Sequence, residues 1–132
     1  MSQPTEGEIH TSERTFTAED VRRFVEVSED EQPRHTEEDD EGRLMVHGLL
    51  TATLPTKIGG SLEVLARRME FEFVAPVYTG DVVTCVWTNE SVEERDDRYD
   101  LTVDVVCENN GGDTVLTADI EGVVLKESGG QR

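Results

Sequence analysis

Residues 30–35, DEQPRH, place a carboxylate and an imidazole five positions apart with a proline between them. Asp30 and His35 in one short loop are the types needed for general acid–base work. They also fit an ordinary polar loop, because 30 of the 132 residues are Asp or Glu. The chain beyond the loop separates the two readings. The stretch VHGLLTATL at 46–54 holds His47, Gly48 and Thr53 and no carboxylate at all.

These residues need elements to position them. TAEDVRRFVEV has Thr17 as a helix cap and Asp20 at the capping-box position. Val21, Phe24 and Val25 then fall on one helical face. Residues 28–43 carry no apolar period, and their acidic run TEEDDE has neither the spacing nor the glycine of an EF-hand. A solvated loop is expected there. LMVHGLLTATLPTKIGG is apolar or small almost all round, which marks a helix buried on several sides, with Gly59 and Gly60 expected to end it. Pro55 must kink it or sit where a lost N–H is tolerated.

The period then changes from helical to two. In MEFEFVA the residues Met69, Phe71, Phe73 and Ala75 point one way and Glu70 and Glu72 the other. VVTCVWT, YDLTVDVVCE and TVLTADIEGVVL come next as strands, separated by EERDDR and the turn NNGGD. The order predicts an α+β fold, a four-stranded antiparallel meander wrapped around one central buried helix. Residues 1–12 and 127–132 are polar and pattern-free and are expected to be flexible, leaving 13–126 as a single domain.

Composition narrows the partners. A net charge of −18 and a pI near 4.3 exclude nucleic acid and anionic membrane. Two lysines beside ten arginines, on an acidic surface, suit a salt-adapted protein of a halophile. Cys85 and Cys107 lack metal-ligand spacing and sit in strand-patterned runs, so both are expected to be reduced and buried. No metal or cofactor is implied. No basic flank with an apolar stretch opens the chain, and no segment is long enough to span a bilayer, so the expected location is the cytoplasm.

Three stretches taken together resemble the MaoC-like dehydratases, the (R)-specific enoyl-thioester hydratases of the hotdog fold. They are DEQPRH at 30–35, HGLLTATL at 47–54 and PVYTGD at 76–81. The resemblance spans about residues 14–125. Gln32 stands where the family usually has asparagine and Glu29 where a turn glycine is common. Thr53 stands where the hydratases often carry a serine, and only eleven residues separate His35 from His47.

The resemblance implies hydration and dehydration of a 2-enoyl or (R)-3-hydroxyacyl thioester by a homodimer. Asp30 would be the base, and His35 would orient the water and take part in proton delivery. The Gly48 N–H would face the thioester carbonyl from a helix N-terminus, with Thr53 in the pocket. CoA is favoured over acyl-carrier protein, because an acidic carrier is repelled by an acidic enzyme. Two other functions fit the same residues. One is a hotdog thioesterase, disfavoured because LLTATLPTKI lacks a carboxylate; the other is a non-catalytic acyl-thioester binder.

Overall fold

The computed structural model describes residues 3–127. Strand β1 spans Ile9–Thr15 and helix α1 Ala18–Ser28; a single turn, α2, covers Pro33–Thr36. Helices α3 (Gly48–Thr51) and α4 (Thr53–Ser61) come next, then strands β2 (Leu65–Phe73), β3 (Val82–Glu94), β4 (Arg98–Glu108) and β5 (Thr114–Leu125). All five strands join one antiparallel sheet in the order β1-β3-β4-β5-β2.

The structure corrects two expectations. The four later strands are not a meander, since β2 pairs with β5 at the far edge instead of with β3. The α3–α4 helix lies across the sheet and delivers the chain to that edge; segment 74–81 then carries it back. That return is fixed by bonds from Val46 N–H to the Val77 carbonyl (2.7 Å) and from Thr79 N–H to the Leu44 carbonyl (2.9 Å). The second correction concerns residues 1–12. Residues 9–12 belong to β1, and the segment before them is anchored as well. The Asn89 side chain, buried in β3, accepts from the Trp87 indole (2.9 Å) and donates to the Thr5 carbonyl (3.2 Å). A buried amide has to find such partners, so it draws polar chain into the sheet. Most of the 127–132 tail lies outside the described residues.

The helix is also shorter at its start than the apolar pattern suggests. Leu44–His47 are extended, with Met45 bridging Tyr78, and the helical run begins at Gly48. It is interrupted at Ala52, just ahead of Pro55, whose missing N–H would have served the Thr51 carbonyl. Gly59 and Gly60 lie inside α4. Gly59 admits the Trp87 ring, which a Cβ there would meet at 3.1 Å, while Glu63 takes the left-handed φ of 57° beyond the end.

The inner face of the sheet buries Val83, Cys85 and Trp87 of β3 and Leu101, Val103, Val105 and Cys107 of β4 against Leu54 and Ile58. Cys85 and Cys107 lie opposite each other in register, both buried and both free thiols. Deleting a core side chain such as Leu54 costs about 2–5 kcal/mol in sites of this kind. Met69, Phe71 and Phe73 share that inner face, being paired with Ile120, Ala118 and Leu116. The helix leaves this edge only partly covered, and Met69 and Phe73 remain 39% and 53% exposed.

Candidate active site

The site begins with the end of α1. The Thr17–Asp20 capping box starts that helix, and Glu29 closes it in the left-handed region at φ 60°. This non-glycine αL residue turns the chain sharply, so that Asp30 lies at the base of α1 instead of continuing outward. Pro33, suited to a first helical turn, opens α2. One turn later His35 points inward and is 5% exposed. Further on, the acidic loop is closed by its own cation. Arg43 pairs with Asp39 at 3.0 Å and lies 4.0 Å over the Tyr78 ring.

His35 Nδ1 lies 2.7 Å from the Met45 carbonyl. A carbonyl only accepts, so Nδ1 carries a proton, and in the neutral ring Nε2 presents a lone pair. That lone pair faces Asp30 Oδ2 at 3.8 Å. The other Asp30 oxygen, Oδ1, accepts from the Gln32 side-chain amide at 3.0 Å and more loosely from its backbone N–H at 3.4 Å. The Gln32 side-chain bond is the main cause holding the Asp30 carboxyl below its ordinary range; partial burial opposes it, and the two nearby histidines add to it. Gln32 therefore fixes the oxygen turned away from His35 and keeps the carboxylate ionised.

His47, ahead of α3, belongs to the sequence motif, where it carries no assigned task. Its Nε2 lies 3.1 Å from the Asp30 carbonyl, and its ring stacks on His35 with centroids 3.7 Å apart and 16° between planes. Burial pushes its pKa down and His35 adds to that, while the bond to the Asp30 carbonyl opposes them. Polar atoms of Asp30, His35 and His47 all lie within 4.8 Å of one another, a spacing a metal could use. The stacking argues against it. An ion about 2.0–2.1 Å from both imidazoles should lie in both ring planes, and nearly parallel planes this far apart share no such point.

Gly48 opens α3, so its N–H has no acceptor within the helix. The Phe73 ring rests on it so closely that a Cβ would come within 2.7 Å of a ring carbon. Beside Gly48 opens a cavity of about 300 Å³ walled by Val46, Thr51, Phe73, Val77, Val115 and Leu116. His47, the residue before Gly48, touches both Asp30 and His35, while neither of those two lines the cavity. Thr53 is not among the cavity residues; its hydroxyl donates back to the Leu50 carbonyl at 2.6 Å. The threonine that lines the cavity is Thr51, two positions earlier. The cavity-facing side is hidden in the sequence because the helix is apolar all round.

No protein-family model matches the sequence. A mitochondrial 3-hydroxyacyl-[acyl-carrier-protein] dehydratase of Arabidopsis thaliana is 26% identical over 121 residues, covering 83% of this chain and 70% of the relative. Among solved structures, an (R)-hydratase from A. caviae involved in PHA biosynthesis superposes with a TM-score of 0.81. It is 24% identical, with 96% of this chain and all of that one covered. A MaoC-like dehydratase from Rhodospirillum rubrum superposes with a TM-score of 0.78 at 19% identity, over 95% of each chain. The fold is the hotdog fold, an antiparallel sheet with a helix packed against it, in the form these hydratases and dehydratases share.

Proposed function

We propose that this protein is a hydro-lyase that adds water to a 2-enoyl thioester and removes it from the 3-hydroxyacyl product. The observation that carries the reading is the approach of Asp30 Oδ2 to His35 Nε2 at 3.8 Å; in the neutral ring that nitrogen is a second acceptor. Two acceptors at that separation suit one water, which donates a hydrogen to each and turns its lone pairs outward. Asp30, kept ionised by Gln32, takes a proton as the water oxygen bonds to the β-carbon. His35 orients the water and takes part in passing the proton held by Asp30 on to the α-carbon, so Asp30 is regenerated and the addition balances without a cofactor. Charge developing on the thioester oxygen is met by the Gly48 N–H at the start of the helical run. The apolar cavity beside Gly48 takes the acyl tail, and at about 300 Å³ it is at the small end for ligand pockets.

The names of the similar proteins, a dehydratase and an (R)-hydratase, support this class of reaction and the (R) configuration. The Arabidopsis relative is named for a carrier-protein thioester. For this chain CoA is the better substrate, because a net charge of −18 opposes approach of an acidic carrier. The working unit is a homodimer. Strand β2 is an unpaired edge with exposed Leu65, Met69 and Phe73, and soluble proteins cover such edges. Among the described residues no helix is long and apolar enough to cross a membrane. We place the enzyme in a salt-rich cytoplasm on its charge.

Incubation with crotonyl-CoA tests the reading. Loss of the conjugated-thioester absorbance without free thiol is the expected result. Release of free thiol means a thioesterase, and no change means a binder.

A further inference from the structure

His47 is 3% exposed and touches three parts of the site, yet its Nδ1 has no hydrogen-bond partner. A buried nitrogen without a partner is costly, and a phenylalanine would fill similar space without that cost. Packing alone therefore does not account for a histidine here. Its other nitrogen does. Nε2 faces the Asp30 carbonyl at 3.1 Å, and because that oxygen can only accept, Nε2 carries the proton. One face of the ring covers His35 at 3.7 Å, and Phe24 approaches it edge-on at 4.8 Å and 61°. The ring is thus held by Phe24 while it bears on both members of the acid–base pair. It grips Asp30 by the main chain, leaving the carboxylate to Gln32, and it grips His35 by its face, leaving both nitrogens of that ring to Met45 and the reaction.

We propose that His47 is a positioning residue: its Nε2–H bond to the Asp30 carbonyl and its stacking on His35 hold the carboxylate and the imidazole in one fixed geometry. The activity side of this inference rests on the hydratase reading. Its physical basis is that small displacements of reacting groups are expensive in rate, a shift of about 1 Å being enough to lose about a hundredfold. A protonated His47 would set a second positive charge against His35 whenever that ring took a proton, and burial, with His35 beside it, opposes such protonation.

Two variants divide the contacts. His47→Phe keeps the stacked ring and loses the donor; His47→Gln offers an amide N–H to the carbonyl and loses the stack. Each should lower kcat by about tenfold or more with KM changed far less, since His47 meets no substrate atom. His47→Phe should melt no lower than the parent, which separates positioning from folding. Folded variants with the parent's kcat would overturn the proposal. A readout independent of turnover is the ¹⁵N spectrum of the imidazoles. The neutral His47 ring should be the Nε2–H tautomer, taking its second proton at lower pH than an ordinary histidine. An Nδ1–H tautomer would overturn the inference even in an active enzyme. Should the parent fail to hydrate crotonyl-CoA, the hydratase reading falls, and the spectra still decide the geometry. Shifted Asp30 amide and His35 ring signals in both variants support it, and unmoved signals refute it.

Discussion

Two groups of carboxylates in this molecule share composition and differ in everything else. On the outer sheet face Asp104 and Asp119 lie directly opposite each other in register, with Glu90 close enough for the three to gather within 4.8 Å. Among the described residues none of the three makes an ion pair or a side-chain hydrogen bond. Asp30 has a side-chain amide on one oxygen, an imidazole facing the other, and its main chain held by His47. The first group is three like-charged side chains set together; the second is organised by donors of the protein. The donors that surround it set Asp30 apart from the other carboxylates, and abundance carries no such information.

The sharpest way to break this contrast is to neutralise one member of each group. Asp30→Asn should lower hydration by at least about a hundredfold, the usual scale for a positioned acid or base. His35→Ala should do the same, both proteins remaining folded, whereas Asp119→Asn should leave turnover unchanged. Steady-state rates with crotonyl-CoA decide it, and an active Asp30→Asn protein would remove Asp30 from the chemistry. Next in size is Gly48→Val, which sets a branched side chain between the helix start and the Phe73 ring. Turnover should fall about tenfold or more, because the side chain blocks approach to an N–H that valine keeps, with a smaller change in stability. Unaltered kinetics in a folded variant would take Gly48 out of the site.

A subtler change tests what surrounds Asp30. Gln32→Ala removes the principal cause of the lowered Asp30 pKa, so the carboxyl should titrate closer to the ordinary aspartate value of about 3.9. A depressed folded pKa gives stability that is present above the unfolded value and lost as pH falls through the folded one. In the variant that loss should be complete at a higher pH and be smaller in total. Carboxyl ¹³C shifts followed through an acid titration report it; a midpoint that does not move would mean Gln32 has no such role. The smallest expected effect is on stability at the outer face. Asp119→Asn should stabilise the protein by on the order of 0.5 kcal/mol in dilute buffer by removing a cross-strand like-charge pair. The gain should vanish near 1 M salt, where the Debye length is about 3 Å. Thermal melts in a KCl series separate the two conditions, and equal gains at both would exclude a charge origin.

How much of this is legible in the sequence depends on where the information sits. Thr17 with Asp20, and the spacing of Asp30, Pro33 and His35, are local signals, and local structure honours them. The strands after residue 64 are legible for the same reason, since alternation needs no knowledge of neighbours. Pairing is not local, and nothing in MEFEFVA says that its partner is β5. Strand β1 is hard to see in the sequence because an edge strand alternates weakly. Its anchor, Asn89, reads as one more polar residue until it is seen buried. Gly59 misleads in another way. Glycine near a helix end usually marks a cap, but here it makes room for an indole, and Glu63 turns the chain. Thr53 and Thr51 are indistinguishable in a helix that is apolar on every side, so only the packed structure shows which one faces the cavity.

The Trp87–Asn89–Thr5 link has an optical consequence. Trp87 is the sole tryptophan, and its indole N–H ends on an amide whose own N–H reaches the N-terminal segment. If residues 5–15 lift away from β3 while the rest of the sheet stays paired, that amide must take water in place of the Thr5 carbonyl. Water then arrives next to the indole. The emission colour of one native chromophore thus reports detachment of a single edge strand, ahead of and distinct from global unfolding.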